Sequence, residues 1–288
     1  MKDKRASFTA QIMALYRAME SGRPAGFQRL FTDEYAALFL TGRLKLAAWL
    51  AGFPAGERWL YGYMQRRIPG ALTSGVARTR YIDDLLEARL RQGVNRVILL
   101  GAGFDTRAFR LAAMRGAQIL EVDHPDTAVL KQKFLRKGLS ELPADVSYLS
   151  IDFNWRSLGD GELDLSQPAV IIWEGVTNYL QREAVDEVMR LAGRFPPGSA
   201  IIFTYIHRRV LEEPAAYFGG ERLIADLERI EEKWTCGFLP EEMQGYLQAF
   251  GLRLIEDKGA AEYRQLYMPE RTVLLKGYEF YRVAVAEV

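Results

Sequence analysis

From residue 95 onward, short apolar runs alternate with stretches of helical periodicity, a texture that few folds accommodate. The runs are Arg96-Val-Ile-Leu-Leu100, Gln118-Ile-Leu-Glu-Val122, Val146-Ser-Tyr-Leu-Ser-Ile151, Ala169-Val-Ile-Ile-Trp173 and Ala200-Ile-Ile-Phe-Thr204. Strands that carry so few alternating polar residues suit a sheet covered by helices on both faces. Their alternation with helices predicts an α/β domain with a parallel, doubly wound sheet. Two later segments, Leu252-Arg-Leu-Ile255 and Phe280-Tyr-Arg-Val-Ala-Val285, alternate better and predict a closing antiparallel pair, a hairpin-like return with no further helix. The sheet then has seven strands.

Before this core the chain reads as helices. Phe8, Ile12, Leu15, Tyr16 and Met19 recur at helical spacing, and Gly22 with Pro24 stops them. Further helices are expected over about 33–52, 56–67 and 77–92, the last ending at Gly93. After the fifth strand, the charged stretch from Arg208 to Lys233 exceeds what one crossover needs and reads as an inserted helical lid. The expected layout is one domain over 1–288. It comprises a helical extension (1–92), a ligand-binding core (93–207), a helical insertion (208–248) and a strand pair (249–288).

Composition excludes more than it assigns. With 38 basic and 37 acidic side chains the net charge is +1, which gives no electrostatic footprint for nucleic acid or an anionic membrane, so neither is an expected partner. No apolar stretch approaches the roughly 20 residues of a membrane span. A single cysteine, Cys236, forms no intrachain disulfide and fits a reducing, cytoplasmic setting. Two histidines far apart and one cysteine predict no catalytic metal.

Chemistry concentrates at the ends of the predicted strands, where open α/β sheets bind ligands. Leu99-Leu-Gly-Ala-Gly-Phe-Asp-Thr-Arg107 runs from a strand through Gly101, Ala102 and Gly103 into a helix start. Glycine there permits a tight turn and close approach of a ligand. Asp123 ends the second strand, twenty positions beyond Gly103, where a carboxylate can accept both ribose hydroxyls of an adenosine-containing ligand. Asp152, followed by Phe153, ends the third strand and can reach an adenine amino group. Glu174 ends the fourth and needs a cationic partner if buried, either a ligand amine or an arginine. These signals fit both NAD and S-adenosylmethionine. Thr106 stands where dinucleotide sites favour a third glycine, and Asp105 sets a negative charge near a pyrophosphate position, so the reading leans away from NAD.

Gly101-Ala-Gly-Phe-Asp-Thr-Arg107, Glu121-Val-Asp-His-Pro125 and Glu174-Gly-Val-Thr-Asn-Tyr-Leu180, in that order, resemble the leucine carboxyl methyltransferase family. They resemble most its bacterial branch of polyketide-type O-methyltransferases. Ala77-Arg-Thr-Arg-Tyr-Ile-Asp83 and Gly237-Phe-Leu-Pro240 also match, so the resemblance spans roughly 5–285. It implies a class I methyltransferase fold and S-adenosyl-L-methionine as cofactor. By that resemblance Arg78 holds the cofactor carboxylate, with Arg80 the alternative in a shifted register. Gly101 is then the motif glycine, Asp123 binds ribose, Asp152 lies near adenine and Glu174 meets the methionine end. The pattern departs at Thr32-Asp-Glu-Tyr35, where the family carries Asp-Pro-Tyr.

The expected cofactor set is Arg78, Gly101, Ala102, Gly103, Asp105, Asp123, His124, Asp152, Phe153 and Glu174. For the methyl acceptor the expected substrate is a small molecule bearing a carboxylate or hydroxyl, with a protein C-terminal carboxylate as alternative. A carboxylate needs no general base, whereas a hydroxyl does. Tyr179 and His207 are the candidate catalytic residues. Trp49, Trp59, Tyr61, Tyr63, Tyr217, Phe218 and Trp234 are candidates for an apolar acceptor pocket.

Overall fold

The computed structural model describes residues 8–25, 28–139, 142, 145–151, 163–269 and 277–288. Asp152 and Phe153 lie outside the described residues.

Seven strands form one sheet: β1 (Arg96–Leu100), β2 (Gln118–Asp123), β3 (Val146–Ser150), β4 (Val170–Trp173), β5 (Ala200–Ile206), β6 (Arg253–Gly259) and β7 (Tyr281–Glu287). Their order is β3-β2-β1-β4-β5-β7-β6. The first five strands run parallel, while β7 pairs antiparallel with both β5 and β6. The chain leaves β1 toward β2 on one side and returns to β4 on the other. The crevice at their carboxyl ends is therefore the topological switch point.

Alternate residues of each strand feed two cores. Ile98, Leu100, Ile171 and Trp173 pack with Val185 and Met189 of α7 (Arg182–Ala192) and Met243 and Leu247 of α10 (Met243–Gln248). Val97, Leu99, Val170 and Ile172 face Tyr81, Ile82 and Leu86 of α4 (Ala71–Arg91) and Tyr263 of α11 (Ala260–Tyr267). Strands wrapped this way must be apolar on both faces, which is why they read as unbroken hydrophobic runs.

Three expectations are corrected. The helix expected over 33–52 is a 3-10 turn, Ala36–Phe39, followed by α2 (Gly42–Leu50). The break falls at Leu40 and Thr41, whose backbones are extended. The helix expected from residue 77 begins at Ala71, because the left-handed Gly70 (φ +74°) sets its start further upstream. The closing strand pair is not a hairpin: α11 lies between β6 and β7. Its start is fixed where Glu262 accepts from the Gly259 amide at 2.7 Å, and Tyr263 anchors it by stacking on Tyr81 at 5.9 Å between ring centres.

The remaining helices are α1 (Phe8–Ser21), α3 (Pro54–Arg67), α5 (Arg107–Arg110), α6 (Pro125–Gly138), α8 (Arg209–Glu212) and α9 (Gly220–Arg229). Helix α1 packs through Leu15, Tyr16 and Met19 on Val76 of α4 and Phe104 after β1. The extension and the segment after β5 are tied together: Arg67 of α3 makes two bonds to Asp226 of α9, at 2.9 and 3.2 Å, and Thr9 bonds Glu232. Among the described residues no helix is long and apolar enough to cross a membrane.

Candidate active site

Strand β1 ends in a turn through Gly101 (φ +64°) and Gly103 (φ +45°), a region that side chains disfavour. Space excludes a side chain at the first position too, since a Cβ on Gly101 would sit 2.4 Å from Val176 Cγ2. The Gly101 and buried Ala102 amides both donate to the Val122 carbonyl, at 2.7 and 3.2 Å, laying the turn against the end of β2. There Asp123 accepts from the Gly103 amide at 2.5 Å and from the His124 amide at 2.7 Å. Burial raises its carboxyl above the ordinary value, against the pull of those two amides. His124 caps α6, with Nδ1 accepting from the Asp126 amide at 3.2 Å.

The tips of β1 and β4 are joined by charge. Glu174 receives Arg78 Nε on one oxygen at 2.8 Å and Arg107 Nη1 on the other at 2.9 Å. Burial works against its ionisation, but the two guanidiniums prevail and hold the carboxyl below its usual range. Arg107, the first residue of α5, also pairs with Asp105 and, at 2.7 Å, with Asp83 of α4. Burial pushes the Asp105 acid up, and Arg107, Lys131 and Arg17 more than offset it, holding it well below the ordinary carboxylate range. Asp83 takes Arg110 at 2.8 Å. Asp33, fully enclosed, accepts from Arg17 Nε at 2.9 Å, from the Thr106 hydroxyl at 2.6 Å and from the Tyr35 and Ala36 amides. Four acids and four arginines thus neutralise one another around the crevice.

Sequence reasoning placed Arg78, Gly101, Ala102, Gly103, Asp105, Asp123 and Glu174 in one locus, and the structure brings them together. It separates the two arginines of α4. Arg78 faces Glu174, with its guanidinium 5.3 Å from the Tyr281 ring centre, whereas Arg80 turns to the outside, bonding Asp84 at 2.9 Å and the Leu30 carbonyl at 2.8 Å. Two residues apart on a helix do not share a face. Asp105 departs from its expected part: its charge is spent on Arg107 and does not confront the crevice bare. Arg107, Asp83, Arg17 and Asp33 were missed as members of the network. The available signal was the surplus of acids at strand ends, which demands buried cations. Asp33 sits where the chain departs from the family pattern, and there it anchors α1 to the turn after β1.

The side expected to meet the methyl acceptor is built differently. Tyr179 ends a 3-10 turn after β4, and burial raises its phenol above the usual value, so the hydroxyl stays protonated. Its ring lies 6.5 Å from Trp234, which lies 6.1 Å from Phe280; Phe280 lies 6.0 Å from Tyr217, and Tyr217 lies 5.7 Å from His207. Three rings in series thus run from Tyr179 to His207, and among the described residues neither a hydrogen bond nor a ring contact joins the two directly. His207 Nδ1 meets the Tyr217 hydroxyl at 3.1 Å and accepts from the Arg209 amide at 3.3 Å, while burial lowers the imidazole pKa. Of the expected pocket aromatics, Trp49, Trp59, Tyr63 and Phe218 are exposed, and Trp234 is enclosed. Cys236 is buried, and burial pushes its thiol up to about 11. Among the described residues no group of three or more His, Cys, Asp or Glu is placed to hold a metal ion.

Residues 10–192 match the family model described as leucine carboxyl methyltransferase. The chain belongs to the leucine carboxyl methyltransferase family. A Frankia alni protein named as an S-adenosyl-L-methionine-dependent methyltransferase is 31% identical over 275 residues, covering 91% of this chain and 89% of the relative. A Streptomyces coelicolor protein of the same name is 34% identical over 212 residues, covering 72% of each chain. Among solved structures, a Thermobifida fusca methyltransferase superposes with a TM-score of 0.60 at 17% identity, over 96% of this chain and 94% of its own, which supports the class I methyltransferase fold. This family member is an S-adenosylmethionine-dependent methyltransferase.

The residues present fit that cofactor. The turn after β1 runs through left-handed Gly101 and Gly103 with no Cβ on either, and a carboxylate stands at the end of β2. Arg78 gives Nε to Glu174 while, among the described residues, one terminal nitrogen has only Met13 Sδ at 3.6 Å.

Proposed function

We propose that this methyltransferase transfers a methyl group to an oxygen of a small organic acid of the polyketide or secondary-metabolite kind, with a carboxylate as acceptor. The observation that carries the reading is the make-up of the acceptor side. Tyr179 is held protonated, and the ring series Trp234, Phe280 and Tyr217 runs between it and His207. A carboxylate is already ionised at neutral pH and requires no proton removal.

In this reading the terminal nitrogens of Arg78 hold the cofactor carboxylate, a job suited to a planar fork. Glu174 meets its ammonium, Asp123 its ribose hydroxyls, and Asp152 its adenine. When bound, the cofactor supplies an electrophilic sulfonium methyl. The chain's own part is alignment and exclusion of water, which contributes roughly 7–11 kcal/mol at best. Residues 208–248 act as the lid over the acceptor, held to the helical extension by Arg67 and Asp226.

A second reading keeps the carboxylate and changes its carrier to a protein C-terminus, as the family's name favours. Transfer of labelled methyl from S-adenosylmethionine to panels of small acids, phenols and peptides with free C-termini decides among them. A methyl ester releases methanol in mild base, and an ether does not. Label that is base-stable on every accepted substrate overturns the carboxylate reading.

A further inference from the structure

Helices α2 and α3 turn rings outward, where a water-facing surface is ordinarily polar. Helix α2 has no fully buried residue: Leu44 and Leu50 pack half-buried against the core, while Leu46 and Trp49 face outward. Helix α3 buries Glu57, Leu60 and Met64 on one face and presents Arg58, Trp59, Tyr63 and Arg66 on the other. Trp49 is 61% exposed and Trp59 is 63% exposed. Each packs on another surface ring: Trp49 edge-on to Phe53 at 4.8 Å, and Trp59 stacked on Tyr63 at 5.9 Å.

The accompanying charge has one sign. Arg43 and Lys45 are exposed on α2 with Trp49, and Arg58 and Arg66 are exposed on α3 with Trp59 and Tyr63. Glu57, the one acid between Gly42 and Arg67, is buried against Arg23 at 3.2 Å. The chain's net charge of +1 conceals this local excess.

We propose that the α2–α3 face docks on an anionic lipid bilayer. Trp and Tyr rings settle at the headgroup level, Leu46 and Phe53 reach the acyl boundary, and the four cations meet anionic headgroups. A second copy of this chain would bring the same cations face to face across a two-fold contact, so self-association does not satisfy the surface. A single-stranded nucleic acid would use the rings and cations but leave the exposed Leu46 and Phe53 without purpose.

Co-sedimentation of the full chain with phosphatidylcholine vesicles, with and without phosphatidylglycerol, tests this. The protein should sediment only with the anionic vesicles, less so as salt rises, with a blue shift of tryptophan emission. The double variants Arg43→Glu with Lys45→Glu, and Trp49→Ala with Trp59→Ala, should each weaken partitioning by more than about tenfold. Both should keep the wild-type melting temperature and S-adenosylhomocysteine affinity. Failure to sediment with anionic vesicles overturns the proposal, as does sedimentation that both double variants leave intact. A concentration-dependent dimer that Trp49→Ala abolishes, or oligonucleotide binding, found without vesicle binding, overturns it equally.

Discussion

At the tips of β1, β2 and β4 charge is set against charge, while at the tips of β5 and β7 ring is set against ring. Arg107 alone bonds Asp83, Asp105 and Glu174, and among the described residues no comparable ionic hub joins Tyr179, Trp234 and Phe280. The first arrangement fixes directions, because a guanidinium fork meets carboxylates at set angles. The second fixes shape and leaves direction loose. On the proposed reading, a methyltransferase of this build holds its donor by orientation and its acceptor by fit.

The sharpest way to break this contrast is Arg107→Ala. It takes a shared cation from Asp83, Asp105 and Glu174 and leaves Asp105 without an ion-pair partner among the described residues, while Arg110 and Arg78 still hold the other two. Removing one partner of a buried ion pair costs about 3–5 kcal/mol. The midpoint of denaturant unfolding should fall accordingly. A loss under about 1 kcal/mol would show that the network is not what orders the donor side.

Next comes the pair of arginines on α4. Arg78→Ala should weaken S-adenosylhomocysteine binding by about 10- to 100-fold, at roughly 1.5–3 kcal/mol for a charged hydrogen bond. Arg80→Ala, whose side chain turns to Asp84, should leave affinity within about twofold, as expected for an exposed pair. Titration calorimetry on the two variants checks both, and the reverse ranking would relocate the cofactor carboxylate.

A pH effect separates the network from its neighbour. Asp105 and Glu174 are depressed, so their stabilisation is present above the ordinary carboxylate range and lost as pH falls through their lowered values. Glu121 behaves in the opposite sense. Burial raises it to about 7, despite Lys131 at 2.8 Å. It binds more protons folded than unfolded between pH 4.5 and about 7, so its contribution is present at the acid end and lost as pH rises through about 7. Wild type minus Glu121→Gln stability, measured by urea unfolding from pH 5 to 8, should therefore shift in the variant's favour. A shift toward wild type would mean that Lys131 outweighs burial.

The smallest effect belongs to the ring side. Tyr179→Phe removes a hydroxyl and keeps the ring, so it should alter acceptor kcat/KM by about fivefold or less, roughly one neutral hydrogen bond. Cofactor affinity should not change. A collapse of turnover would make Tyr179 a proton-transfer group and favour a hydroxyl acceptor.

This division also governs what the sequence made readable. The strands were legible because burial on both faces leaves uninterrupted runs such as Val97–Leu100. Asp123 and Glu174 were legible because each acid directly follows or ends such a run, at the carboxyl edge where α/β sheets bind their ligands. Helix α11 was not, since Ala260–Tyr267 is short and gains its place from Tyr263 against Tyr81, a contact between segments far apart in the chain. Arg107 stood in plain view within its motif, yet its three partners come from α4, the turn after β1 and β4, and local spacing does not reveal such convergence. The outward turn of Trp49 and Trp59 was hidden for the same reason: a ring's periodicity places it on a face and does not say what covers that face.

Calorimetric titration of Asp123→Ala with S-adenosylhomocysteine, beside the wild type, bears most directly on the cofactor assignment. If the crevice between β1 and β2 holds the adenosyl group, affinity falls by about tenfold or more while the variant stays folded. Unchanged affinity in a folded Asp123→Ala protein would place the cofactor elsewhere.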